Sequence, residues 1–153
     1  MQWICQTCRD PIQNAQEGWV EWLAQQNQPN GPWLYHSARL VHNSSASKRA
    51  NGCQYNQDQM YKHGRNLVND LPLSDLTGPD GLMALLCYVS EGKFELEEGL
   101  ELIKRLHIPD YDLVREHFEG AIADQVFEPD TKPGYYSQLQ IALTKEWLDD
   151  KGY

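Results

Sequence analysis

Trp3-Ile4-Cys5-Gln6-Thr7-Cys8 sets two cysteines two residues apart. At this spacing both thiolates sit on one tight turn and reach a single metal ion, and a tetrahedral ion then needs two more ligands. A redox dithiol of thioredoxin type should follow a strand and open a helix, whereas Asp10-Pro11 comes almost at once. A structural disulfide is disfavoured in a reducing compartment. Metal binding by Cys5 and Cys8 is therefore the expectation from which the first half is read.

The remaining ligands come from Cys53, Cys87, His36, His42, His63, His107 and His117. Residues 18–23, Gly-Trp-Val-Glu-Trp-Leu, read as a strand, 25–32 as a turn and 33–42 as a second strand, together a β-hairpin. His42 ends the second strand, and Gly52-Cys53 sits in the polar loop after it, where a second knuckle can form. The expected set is Cys5, Cys8, His42 and Cys53, separated by two, thirty-three and ten residues. His36 shares strand parity with His42 and is the alternative. Cys87 falls in a Leu-rich helical stripe and is expected to act as a small core hydrophobe.

Four protein ligands close a coordination sphere, so the zinc that suits this donor set is expected to be structural. About 65 residues with few aliphatics bury little core, and metal binding then supplies folding free energy. An open site would need a water and a carboxylate base, and the spacing of Glu21 and Asp58 singles out neither. There is no P-loop, GxGxxG, nucleophile elbow or Ser-His-Asp order. The expectation is no catalytic residue and no cofactor beyond Zn2+.

Trp3 to Cys8, Pro11-Ile12, Gly18-Trp19-Val20, Leu40-Val41-His42 and Gly52-Cys53 together resemble small bacterial zinc-binding proteins of treble-clef or zinc-ribbon type, over about the first 55 residues. The resemblance implies a structural zinc and no particular reaction. The sequence departs from that pattern in the long 43–52 insertion before Cys53.

The formal charge of −9 is unevenly spread. Residues 1–75 hold six basic and six acidic residues, and residues 76–153 hold seven basic and sixteen acidic ones, the whole net charge. Breakers at 71–73 and 77–81 mark the junction, giving a zinc-binding β-rich domain at 1–70 and an acidic helical domain at 78–153. Apolar spacing predicts helices over 80–90, 95–106, 110–122 and 138–149, and a small hairpin over 126–136. Leu85-Leu86, Glu91-Gly92-Lys93, His107-Ile108-Pro109-Asp110, Val126-Phe127 and Tyr135-Tyr136 within this pattern resemble a winged helix-turn-helix, which implies a third helix that reads DNA. That helix carries Asp110, Asp112, Glu116, Glu119 and Asp124 against Arg115 alone, a balance that repels phosphate and turns the expectation to protein contact.

The whole chain, 153 residues with 41% hydrophobic and 23% charged, reads as an α+β protein. Its apolar runs, such as 82–89, fall far short of the roughly 20 residues of a membrane span. Residues 1–5 show no signal-peptide pattern. A cytoplasmic, non-enzymatic adaptor with an unidentified protein partner and no membrane contact is expected. The alternatives are a nucleic-acid-binding regulator, using Lys48, Arg49, Lys62 and Arg65 of the first half, and an acidic decoy built on Glu116, Glu119 and Asp124. Trp3, Trp19, Trp22 and Trp33 are read as core in preference to a stacking platform for bases.

Overall fold

The computed structural model describes all 153 residues. Two short strands, β1 (Trp3–Ile4) and β2 (Pro11–Ile12), pair antiparallel around the Cys5–Cys8 turn. A three-stranded antiparallel sheet of order β4-β3-β5 follows, from β3 (Gly18–Gln26), β4 (Trp33–His42) and β5 (Leu67–Pro72). Helix α1 (Gln57–Lys62) precedes β5. The rest is helical: α2 (Gly78–Ser90), α3 (Leu96–His107), α4 (Tyr111–Val114), α5 (Phe118–Ala123) and α6 (Gln138–Lys151). This is a mixed α+β arrangement. No helix is long and apolar enough to cross a membrane.

The β3–β4 hairpin forms where the Trp- and Val-rich bursts predict it, with Gly18 opposite His42 at one end and Gln26 opposite Trp33 at the other. The register shifts between Glu21 and Leu23, and Ser37 opposite this stretch adopts a positive φ of 58°. Strand β5 is an addition to the sequence reading, because Asn69, Asp70 and Pro72 are poor strand formers. Pairing along Trp19–Ala24 of β3 overrides that local preference. Helix α1 lies in a polar stretch, and it is capped by the Asn56 side chain accepting from the Gln59 N–H.

The segment expected as one helix over 110–122 is two. At the break, His117 N–H bonds back only three residues, to the Val114 carbonyl, and Phe118 turns into a second core. The expected 126–136 hairpin does not form. Pro129 and Pro133 remove ladder donors from it, and its aromatics instead cover Phe118, with Tyr136 stacked on that ring at 3.6 Å and Phe127 edge-on to Tyr136. The helical half thus has no strand pair to serve as a wing. Helix α6 has a complete capping box, Ser137 with Gln140.

One packed core joins the sheet to α2 and α3. Val20, Trp22, Leu40 and Leu73 meet Leu85, Phe94, Leu102 and Leu106 there, and the Trp22 and Phe94 rings lie 4.5 Å apart. Trp3 and Trp22 are buried and Trp19 packs against this core, as expected, but Trp33 is 43% exposed. Cys87 is likewise not a core residue: the buried face of α2 is set by Gly81 and Leu85, which turns Cys87 outward to solvent.

Candidate metal centre

The Cys5–Cys8 turn is held from three sides. Arg9 N–H donates to the Cys5 carbonyl, and Cys5 N–H donates to the Asp10 carbonyl. Gln6 exchanges bonds with β4: its N–H donates to the Leu40 carbonyl, and its side-chain oxygen accepts from Leu40 N–H. Thr7 hydroxyl donates to the Cys53 carbonyl at 2.6 Å, joining the turn to the loop that bears Cys53. The turn closes through Arg9 at φ 69°, a left-handed conformation that a non-glycine residue adopts at some cost.

These bonds bring Cys5, Cys8, His42 and Cys53 together, with all four ligand atoms within 4.8 Å of one another. A tetrahedral ion with sulfur at about 2.3 Å and nitrogen at about 2.0 Å sets ligand separations of roughly 3.5–3.8 Å, so the cluster is close to the required size. Cys8 Sγ lies 3.3 Å from His42 Nδ1. All four cysteines of the chain are free thiols. Cys5, Cys53 and His42 are buried, and Cys8 is half-buried.

The His42 ring is oriented as a ligand. Its Nε2 lies 3.1 Å from the Pro11 carbonyl, which only accepts, so Nε2 carries the proton and Nδ1 presents a lone pair to the cluster. His36 faces other partners. Its Nδ1 meets the Ser37 hydroxyl and its Nε2 the Asn66 side-chain oxygen at 2.8 Å, so strand parity does not bring it to the cysteines.

The thiols are electrostatically unequal. Burial pushes the Cys5 thiol up, but N–H groups of Cys8, His42 and Thr7 outweigh it and bring the thiol down to about 7. Cys8 is pushed up to about 11 by burial and by the neighbouring Cys5 charge. A second thiolate beside the first is unfavourable until a cation arrives to neutralise both. The cluster can therefore hold a divalent ion with all four positions filled from the protein.

A support absent from the sequence reading stands behind Cys53. Glu21 is fully buried and accepts from Arg39 Nε at 2.6 Å and from Tyr55 N–H at 3.0 and 2.9 Å. Arg39 donates onward to the Cys53 carbonyl at 3.1 Å and lies 3.5 Å over the Tyr55 ring. Glu21, which its spacing did not single out as a base, is thus engaged in fixing this loop, and Asp58, equally unmarked, is an exposed first-turn acid of α1. The signal in sequence was only a carboxylate in an aromatic strand, and nothing local tied it to residue 53.

A second buried charge network links the turn to the helices. Asp112 accepts from Ile4 N–H at 2.7 Å and pairs with Arg105 and with Arg115, the latter at 3.2 Å. Arg105 also donates to the Gln6 side chain, and its carbonyl accepts from Trp3 Nε1 at 3.1 Å. No family model matches this chain, and neither a curated protein nor a solved structure is significantly similar to it.

Proposed function

We propose that Cys5, Cys8, His42 and Cys53 hold one zinc ion in a ribbon- or treble-clef-type site, and that the protein acts as a non-enzymatic adaptor through protein contacts. Three thiols and one imidazole are the donor set of structural zinc, and they leave no position for a reacting water. Such an ion supplies charge neutralisation and cross-linking, not a chemical step. Three thiols kept reduced for metal fit a cytoplasmic location.

The adaptor reading rests on an apolar surface of the helical half. On α2, Met83 is 63% exposed, Leu86 is 47% exposed and Cys87 is also exposed, at spacings of three and one that put them on one face. Leu96 and Leu100 are 59% and 46% exposed on α3, which packs against α2. Clustered exposed apolar side chains favour a protein partner. A decoy reading is less favoured, because Glu116 and Asp124 are paired with Arg9 and Lys151, leaving Glu119 alone of the three acids it needs.

Capture from the native host followed by mass spectrometry tests this. Wild-type protein should retain a reproducible partner that Met83→Glu/Leu86→Glu loses without a change in thermal stability. A partner set unaffected by that double variant contradicts the assignment of the face.

A further inference from the structure

The end of the three-stranded sheet away from the metal cluster carries a second concave site. Gln26, the last residue of β3, is the register partner of Trp33, and Ala24 pairs with Leu67 on the other side, so three strands meet at this end. Helix α1 adds Tyr61, and the turn after it adds Arg65 at φ 54°. With the 26–29 turn, these residues line a cavity of about 390 Å3.

Its side chains differ from the rest of the surface. Trp33 and Tyr61 are 43% and 54% exposed, whereas the other four tryptophans are buried or half-buried. Neither ring joins the aromatic pairs or cation contacts found elsewhere in the fold. No carboxylate lines the cavity, in a chain with 22 acidic residues. Arg65 is its one charged group. Seven of the thirteen lysines and arginines are ion-paired, but Arg65 and the neighbouring Lys62 are not, nor are Lys48 and Arg49. The Gln26 amide is spent on the Gly31 carbonyl, and Asn27 and Gln28 offer amides at the rim.

Open ring faces take a flat partner by stacking, and an unpaired guanidinium without nearby acids takes an anion. A neutral sugar would use the rings and amides but leave Arg65 unanswered. An acidic peptide would answer Arg65 and leave the rings idle. We propose that this cavity binds the base and phosphate of a nucleotide unit, presented by a single-stranded nucleic acid or by a free nucleotide. The base stacks on Trp33 or Tyr61 and the phosphate meets Arg65. The net charge of −9 does not oppose this, because the excess acid lies in the other half of the sequence.

The test uses the full chain at low salt. Labelled (dT)8 and U8 are followed by fluorescence anisotropy, and AMP by calorimetry. The proposal predicts salt-sensitive binding, with Trp33→Ala and Arg65→Gln each weakening it about 5- to 100-fold while thermal stability stays unchanged. Arg65→Gln should also reduce the salt slope by about 0.7. Binding of AMP with little gain from the strand identifies a free nucleotide as the source, and binding of the strands alone identifies a nucleic acid. The proposal is overturned if none of the three probes binds at low salt, if binding survives both substitutions intact, or if a neutral oligosaccharide binds in a Trp33-dependent way while AMP and the strands do not.

Discussion

His42 shows how one side chain is prepared for a metal before the metal is considered. The Pro11 carbonyl accepts from Nε2–H, so Nδ1 faces Cys8 as a lone pair. His42→Ala should lose the ion and lower the melting temperature, while His42→Cys, which restores a zinc-binding donor as a thiolate, should recover much of both. Glu21 acts one step further out, through Arg39, on the Cys53 carbonyl. Glu21→Gln should lower metal affinity by about tenfold or more, the range for groups that orient ligands, as measured against a chromophoric chelator. Burial raises the Glu21 carboxyl above its ordinary value despite Arg39. With the folded value raised, ionisation of Glu21 weighs against folding at neutral pH, and that penalty fades as pH falls through the folded value. Exchange to Gln should therefore flatten this part of the stability profile. The cluster runs the other way: protons compete with the ion for Cys5, with its value of about 7, and for Cys8, pushed up to about 11. Metal affinity should rise with pH through about 7 and on toward about 11, with proton release on binding.

Among the elements, those whose signals are local were legible. The two-cysteine turn, the hairpin and α2, α3 and α6 follow from spacing, β-branched and aromatic bursts, and apolar stripes, each contained within one segment. Strand β5 was not legible, because its pairing with β3 compensates a sequence of Asn, Asp and Pro that has little strand preference by itself. The acids of 110–124 illustrate the same limit. Counted along the chain they form a repelling face, yet Asp110 pairs with Lys145, Asp112 with Arg105, Glu116 with Arg9 and Asp124 with Lys151. Each partner lies seven to more than one hundred residues away, where a count along one helix cannot see it. The four-residue Cys/His cluster was legible because Cys5 and Cys8 lie two residues apart and the other two sit at the end of one hairpin and in the loop after it. Gly81 supplies a test at this scale: a Cβ there would come 2.2 Å from the Leu76 carbonyl carbon, which is backbone and has little room to yield. Gly81→Ala ordinarily favours a helix by about 1 kcal/mol, but here it should destabilise by about 1–3 kcal/mol in chemical denaturation.

In the whole molecule, the metal turn and the helices are one mechanical system. Ile4 donates to Asp112, Trp3 donates to the Arg105 carbonyl, and Gln6 bridges Arg105 and β4. Asp112→Ala leaves Arg105, only 4% exposed, without its buried counter-charge, and should cost about 3–5 kcal/mol. Because the same residues border the cysteine turn, chelation should also lower amide-exchange protection in α3 and α4, well beyond the β half. The proposed structural ion would sit on the turn that these links anchor, so its presence is what has to be measured. Elemental analysis of protein purified without chelator tests it most directly. One zinc per chain is expected, falling to none in Cys5→Ser and Cys53→Ser together with a large drop in thermal stability. Wild-type protein purified without chelator that carries no zinc, or that melts at the same temperature as those variants, would overturn it.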